Sequence, residues 1–252
     1  MRALSQALNE FWLAWTFLSR LPAPVAPLYS EAALNRSARF FPWVGLALGA
    51  LQAGVFWLAL QVFDGVGLAV LISVIAGLLL TGVFHEDGFA DYCDSFGGRD
   101  LESRLAIMTD SRLGSFGVAG LVSILALRVG LLANLPPAAI PLAIVFAGAT
   151  SRWLAISLMW GGDYVKALGK SKPLARGMTA PALVLAAVPV AAMAVWFSAY
   201  FLVICGAVLG VFRLGFARQL RQRLGGYTGD CLGAAQQIAE VLIYACLLAS
   251  LA

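Results

Sequence analysis

The stretch FHEDGFADYCDSFGG (residues 84–98) contains four of the thirteen acidic residues of the chain and its single histidine. If this stretch continues as a helix out of the apolar segment before it, Asp87, Asp91 and Asp94 occupy positions i, i+4 and i+7 on one face. Three carboxylates on one face repel one another unless a cation neutralises them. Mg²⁺ relieves such repulsion, because it takes its oxygen ligands from a few carboxylates and from substrate phosphates.

The sequence therefore predicts a Mg²⁺ site in this region. A solvated acidic loop is the alternative, but seven of the thirteen acids fall between residues 86 and 110, which favours metal binding. His85 has two open interpretations, a structural hydrogen-bonding group or an acid/base. The candidate metal ligands are Glu86, Asp87, Asp91, Asp94 and Asp110.

Two further stretches have the composition of phosphate-binding segments. MTDSRLGSFG (108–117) carries an arginine suited to a phosphate, and GGYTGD (225–230) offers backbone N–H groups where the last apolar segment begins. Asp230 fits equally well as the N-cap of that helix. The candidate substrate-binding or phosphate-binding residues here are Arg112, Ser115, Gly225, Gly226, Thr228 and Gly229.

Glu240 lies about ten residues inside the last apolar segment. A carboxylate at membrane depth is costly and is a functional candidate by default. Arg152, in TSRW (150–153), is its natural counter-charge, and Arg128 is a second choice. The pair is either a structural clamp or a ligand contact, so Arg152 and Glu240 join the candidate substrate-binding residues.

The composition indicates a membrane protein. Hydrophobic residues make up 61% of the 252 residues and charged residues only 12%, against about a quarter in globular proteins. The net charge of +4 comes from basic residues in short loops, and no nucleic-acid-binding signature is present. We therefore predict an all-α polytopic bundle.

A spanning helix needs about 20 apolar residues, and this rule predicts seven spans. A retained N-terminal segment around residues 11–18 is predicted as an interfacial helix, and residues 1–252 are predicted to form one integral-membrane catalytic domain. The seven predicted spans are 40–63, 65–84, 115–135, 138–160, 180–197, 198–214 and 232–252.

Lysines and arginines fall before the first predicted span and then on alternate connections. This alternation predicts a cytoplasmic N-terminus and an outside C-terminus. All the larger polar loops, including both phosphate-binding candidates, then face the cytoplasm. The loop between the fourth and fifth spans contributes Lys166, Lys170, Lys172 and Arg176.

In this order, FLSRLPAP (17–24), HEDGFADYCDSFGG, MTDSRLGSFG, TSRW and GGYTGDCLGA (225–234) resemble the motifs of the cobalamin synthase (adenosylcobinamide-GDP ribazoletransferase) family. The resemblance covers nearly the whole chain. It implies a multi-pass enzyme of the bacterial inner membrane, in the last steps of coenzyme B12 assembly, that joins adenosylcobinamide-GDP to α-ribazole or its 5′-phosphate and releases GMP. It also implies Mg²⁺ dependence, and His85, Asp91 and Asp230 as catalytic residues.

Two other functions remain as alternatives. A CDP-alcohol phosphotransferase uses similar chemistry, but its signature has an arginine after the DGxxA alanine, where this chain has Asp91. A cation-coupled transporter would concentrate its acids near mid-membrane, whereas these acids lie in a surface segment. The expected partners are the two small-molecule substrates and membrane lipid, with no nucleic acid, and a homo-oligomer is left open.

Overall fold

The computed structural model describes residues 2–165 and 177–251, and these residues fold into helices joined by loops. The predicted all-α class is therefore confirmed. The four loop cations Lys166, Lys170, Lys172 and Arg176 lie outside the described residues. The helices are α1 (Arg2–Leu18), α2 (Glu31–Ser37), α3 (Phe41–Val62), α4 (Val66–Thr81), α5 (Phe84–Asp94), α6 (Leu101–Ile107), α7 (Ser115–Ala133), α8 (Ile140–Ser157), α9 (Ala180–Ala186), α10 (Val188–Ala194), α11 (Ala199–Leu224) and α12 (Gly229–Leu251).

Five helical segments among the described residues are long and apolar enough to cross a membrane. A sixth is added if α4 and the 84–97 segment together count as one broken span. These numbers describe a helical protein with several candidate membrane-spanning segments. The five segments are Glu31–Val62, α7, α8, α11 and α12.

The predicted span at 180–197 forms two short helices, α9 and α10, separated at Ala187. Pro189 stands in the first turn of α10, where its missing N–H and its ring prevent one helix from running through. Neither short helix reaches the length of a span by itself. In contrast, α11 continues to Leu224, well beyond the predicted end at 214.

From the sequence we assumed that the acidic helix α5 continues α4, but the structure separates the two helices by a bend. Gly82 and Val83 both adopt left-handed backbone conformations, with φ of 64° and 61°, and the chain bends by 89° between the two helices. A residue in this conformation ends an α-helix and redirects the chain. The bend turns α5 onto α12 and α7, its main packing partners.

Helix α8 lies at the centre of the bundle, packed against α3 on one side and α12 on the other. Gly45 of α3 and Gly148 of α8 face each other so closely that a Cβ at either position would lie within 2.6 Å of the opposite carbonyl oxygen. The N-terminal helix α1 is joined to the bundle by buried Glu10, which pairs with Arg36 and Arg39 at 2.6 and 2.8 Å. These contacts hold the helices that position the acidic segment.

Candidate active site at the junction of α5, α7 and α12

Asp87 and Asp91 are the accessible carboxylates of α5. They lie one helical turn apart, with Asp87 exposed and Asp91 half-buried. Gly88 between them packs against the start of α12, so that a Cβ there would lie 3.0 Å from the Cα of Asp230. The fold thus brings a residue from the far end of the sequence next to the two predicted metal ligands.

Asp94, one helical turn after Asp91, is buried, and its carboxylate is bonded to the protein. One of its carboxylate oxygens accepts the backbone N–H of Gly114 at 2.8 Å, and the other accepts that of Gly117 at 2.7 Å. These donors belong to the start of α7, where unpaired N–H groups and the helix dipole favour a negative charge. A Cβ at either glycine would lie 2.4 Å from an Asp94 oxygen. Asp94 therefore joins α5 to α7 through glycines that the sequence did not single out.

Glu86 is on the opposite, buried side of α5 and has no part in the accessible carboxylate surface. Its carboxylate accepts hydrogen bonds from Arg128 of α7 at 3.4 Å and from Gln237 of α12 at 2.9 Å. Burial makes an unpaired charge expensive, so the guanidinium is the natural partner. This arrangement is an ion-pair contact between helices.

The same arginine also neutralises Glu240. Arg128 donates to Glu240 at 3.1 Å and also to Gln237, so the direct ion pair of Glu240 is with the cation that the sequence had ranked second. Arg152, the first choice, interacts with Glu240 through its charge. Gln236 and Tyr244 complete the partners of Glu240 at 2.8 and 3.0 Å. Helix α12 thus carries a stripe at 236, 240 and 244, whose four-residue spacing was the signal available in the sequence.

Arg152 is buried on α8 and donates to the carbonyl oxygen of Gly148 at 2.9 Å. Its Nε atom has no hydrogen-bond partner among the described residues. The side chain lines a cavity of about 30 Å³ together with His85, Gln236 and Glu240, which is room for about one or two water molecules. The unused donor of this buried guanidinium can therefore bind a water molecule in the cavity.

His85 lines this internal cavity rather than the surface that carries Asp87. It is only 5% exposed, and its ring packs edge-on against Phe84. Positions two apart on a helix point in nearly opposite directions. The histidine and the accessible carboxylates therefore lie on different faces of α5.

The start of α12 has a different cap from the one considered in the sequence. The hydroxyl of Thr228 accepts the N–H of Cys231 at 3.2 Å, and its carbonyl accepts the N–H of Leu232, so Thr228 is the N-cap residue. Asp230 is in the first turn of the helix, where a carboxylate is favoured by the helix dipole. Capping therefore does not explain Asp230.

The glycines before this helix are engaged in the fold. Gly225 ends α11 in the left-handed conformation, and the N–H of Tyr227 donates to the carbonyl of Asp163 at 2.8 Å. A Cβ at Gly226 would lie 2.1 Å from that same oxygen. The segment at 226–227 therefore packs against residues 163–165. Gly229 borders a separate pocket that is lined by Phe17, His85 and Arg152.

Asp110 and Arg112 form an exposed pair with a separation of 2.6 Å between carboxylate and guanidinium. Hydrogen bonds from Arg112 lower the pKa of Asp110 to about 2, so the carboxylate stays ionised at neutral pH. Ser115, the first residue of α7, is also exposed. These residues lie at and just before the start of α7, where Asp94 accepts hydrogen bonds from the backbone. Among the described residues, no group of three or more His, Cys, Asp or Glu side chains converges enough to hold a metal ion.

Together, several candidate membrane-spanning helices, accessible carboxylates beside Asp230 and a buried polar network are the features of a helical membrane enzyme. The family described as cobalamin-5-phosphate synthase matches residues 10–248, and the chain belongs to this family. This confirms the resemblance found in the sequence motifs.

Curated proteins named adenosylcobinamide-GDP ribazoletransferase are similar over almost their full length. The protein of Ralstonia pickettii is 43% identical over 248 residues, which is 96% of each chain. The protein of Vibrio cholerae is 42% identical over 98% of this chain and 96% of its own, and that of Shewanella frigidimarina is 39% identical over 96% and 95%. No solved structure was found to match this chain.

Proposed function

We propose that this protein is an adenosylcobinamide-GDP ribazoletransferase, a transferase of cobalamin biosynthesis. It joins adenosylcobinamide-GDP to α-ribazole or α-ribazole 5′-phosphate and releases GMP. The family match over residues 10–248 carries this proposal. The shared name of relatives that are similar over almost the whole chain supports it. The accessible acids at the junction of α5 and α12 supply the kind of side chains that the reaction needs.

The metal ion of this reaction is proposed to be Mg²⁺, which Asp87 and Asp91 would hold, with Asp230 nearby at the start of α12. These hard carboxylate oxygens fit Mg²⁺, which is commonly bound through one or two carboxylates plus substrate phosphates. When bound, the ion neutralises charge on the diphosphate. Glu86, Asp94 and Asp110 were also candidate ligands, but their carboxylates have protein partners at 2.6–3.4 Å. The ligand set is therefore expected to be completed by the substrate.

The chain's own residues then have two tasks. A ribose hydroxyl of the acceptor attacks the phosphorus next to the cobinamide arm, the P–O bond to the guanylate breaks, and the hydroxyl proton must be removed. Asp91 or Asp230 accepts that proton, since both lie beside the proposed metal site. Arg112, Ser115 and the α12 segment at 228–229 are proposed to position phosphate groups.

The buried residues are proposed to act from below this surface. His85 and Arg152 share with Glu240 a cavity that has room for about one or two water molecules, and the unused Nε of Arg152 can donate to a water molecule there. Because His85 is buried and Asp87 is exposed, no direct proton transfer between them is proposed. His85 is instead proposed to act through the cavity, by orienting the groups that line it. Gly225 supports the start of α12 by its left-handed conformation, and Gly226 does so by its close packing.

The protein is proposed to lie in the bacterial inner membrane as one multi-pass domain, with the active site facing the cytoplasm. The alternation of loop cations supports this orientation. Seven spans require α9 and α10 to cross together, and six are obtained if they do not. The orientation can be tested by labelling single cysteines, placed within residues 99–104 or at Pro137, with a membrane-impermeant maleimide. The two sites should react from opposite sides of the membrane.

The central experiment is an assay of the purified chain with adenosylcobinamide-GDP, α-ribazole 5′-phosphate and Mg²⁺. GMP and the joined product should appear in equal amounts, and EDTA should stop both. Solute flux in liposomes without GMP release would instead favour a transporter. Release of a cytidine nucleotide from a CDP-alcohol with no reaction of the cobinamide substrate would favour the phosphotransferase alternative.

A further inference from the structure

A second cavity lies on the side of α8 away from the candidate active site. It has a volume of about 480 Å³ and lies between α8, α10 and α11. This volume is within the roughly 300–1,000 Å³ range of ligand pockets. Its walls are mainly apolar and include Phe146, Leu154, Val190, Leu202 and Leu209.

One end of this cavity is basic. Arg213 lines it and donates to the hydroxyl and carbonyl oxygens of Ser157 at 3.1 and 2.9 Å. Ser157 is the last residue of α8, so the guanidinium lies where a candidate spanning helix ends. At 1.5 Å per residue, Phe146 in the apolar part lies about 16 Å further along the helix. The cavity therefore extends from a helix end into the depth of the bilayer.

A second arginine, Arg221, lies near this basic end of the cavity. Arg213 and Arg221 both line a shallow groove that begins beside the cavity and leads to Gly226 and Tyr227. An apolar channel that ends at arginines has the same polarity as an anionic phospholipid, with its acyl chains in hydrocarbon and its phosphate at the interface. Arginine suits phosphate because it donates several hydrogen bonds from one planar group.

We propose that this cavity, defined by Phe146, Leu154, Val190, Leu202, Leu209 and Arg213, binds one anionic phospholipid. An acyl chain fills the space between α8 and α11, and the headgroup phosphate contacts Arg213. The site is separate from the carboxylates of α5 and does not depend on the proposed reaction. It would make the packing of α10 against α8 dependent on a bound lipid.

Two glycines allow the cavity to be filled without disturbing its walls. A Cβ at Gly206 or Gly210, both in the cavity wall, would meet no atom within 4 Å. Gly206→Leu and Gly210→Leu therefore place a side chain into the space that the acyl chain needs. Gly215→Leu is the matched control, because Gly215 lies on the same helix in open space but does not line the cavity.

The test uses full-length protein in nanodiscs of equal parts phosphatidylglycerol and phosphatidylcholine, followed by native mass spectrometry of the lipid that stays bound. The wild type should retain one lipid, and this lipid should be phosphatidylglycerol about ten times as often as phosphatidylcholine. A tenfold preference is the scale of one charge-assisted hydrogen bond. Gly206→Leu and Gly210→Leu should lose the bound lipid, and Gly215→Leu should keep it. Arg213→Gln should lose the headgroup preference, whereas Arg218→Gln on the exposed side should retain it.

Localisation provides the second measurement. A photoreactive phosphatidylglycerol should crosslink to peptides containing residues 146–157 and 202–213 in the wild type. Equal retention by the cavity-filling variants and by Gly215→Leu would overturn the proposal, as would crosslinks elsewhere. A lipid that stays bound with no preference for the anionic headgroup would overturn the assignment of Arg213.

Discussion

The carboxylate of Asp94 accepts the backbone N–H of Gly117 at 2.7 Å, which connects the end of α5 to the first turn of α7. Its second oxygen accepts the N–H of Gly114 in the same way. The two contacts fix the acidic helix against its neighbour, so the position of Asp87 and Asp91 depends on a buried carboxylate of the same helix. Asp94 is therefore a positioning residue by its contacts.

The first prediction concerns stability at this contact. Gly117→Ala should lower the free energy of unfolding because its Cβ would lie 2.4 Å from an Asp94 oxygen, and Asp94→Asn should cost about 1–3 kcal/mol by leaving a buried donor unpaired. Thermal unfolding in detergent, followed by tryptophan fluorescence, measures both. Gly130→Ala is the control, since a Cβ there meets nothing within 4 Å. Equal stability of the two alanine variants would contradict this account.

The second prediction separates chemistry from positioning. Asp87→Asn and Asp91→Asn should reduce kcat by orders of magnitude, because the amide cannot replace a negative ligand or base. The unfolding temperature of Asp87→Asn should remain near that of the wild type, because Asp87 is exposed, in contrast to Asp94→Asn. The measurement is steady-state GMP release together with thermal unfolding. Near-normal turnover in both variants would exclude these carboxylates from the metal site.

The third prediction assigns different roles to two neighbours at the start of α12. Thr228→Ala should lower stability by about 1 kcal/mol, the usual effect of losing an N-cap, and Thr228→Ser should restore it. Asp230→Asn should lower stability by no more than about 1 kcal/mol, the scale of a helix-dipole interaction, and should strongly reduce kcat at saturating Mg²⁺. Wild-type kcat for Asp230→Asn would remove Asp230 from the catalytic residues.

The fourth prediction tests the buried ion pairs. Arg128→Met should destabilise the protein by about 3–5 kcal/mol, because Glu86 and Glu240 are left buried without their cation. Adding Glu86→Gln and Glu240→Gln to Arg128→Met should recover much of the loss, since no unpaired charge remains. Unfolding midpoints of the single and triple variants provide the comparison. No recovery in the triple variant would mean that packing, and not charge, determines the loss.

The fifth prediction follows from the incomplete ligand set. A divalent ion should bind weakly to the protein alone and at least about tenfold more tightly with GDP present, because diphosphate oxygens complete its coordination. Electron paramagnetic resonance with Mn²⁺ measures free and bound ion without any turnover. The Asp87→Asn/Asp91→Asn double variant should lose the GDP-dependent binding. Tight binding without GDP that survives this double variant would place the metal elsewhere.

The sequence alone determined the class of the protein and much of its local structure. Long apolar segments require a bilayer, and helical periodicity put Asp87 and Asp91 on one face of α5, as the structure has them. The ordered motifs were sufficient to identify the family. These properties depend on composition and on neighbours a few residues apart, which can be read directly from the chain.

Only the tertiary structure decided which acid has which partner. Glu86 meets Gln237, 151 positions away, and Asp94 meets backbone donors of α7, so two predicted metal ligands have contacts that no local pattern contains. The bend at Gly82 and Val83 produces these pairings, because it turns α5 across the bundle and not along the line of α4. Burial then selects the partners, since a carboxylate removed from water needs a cation or N–H donors within reach.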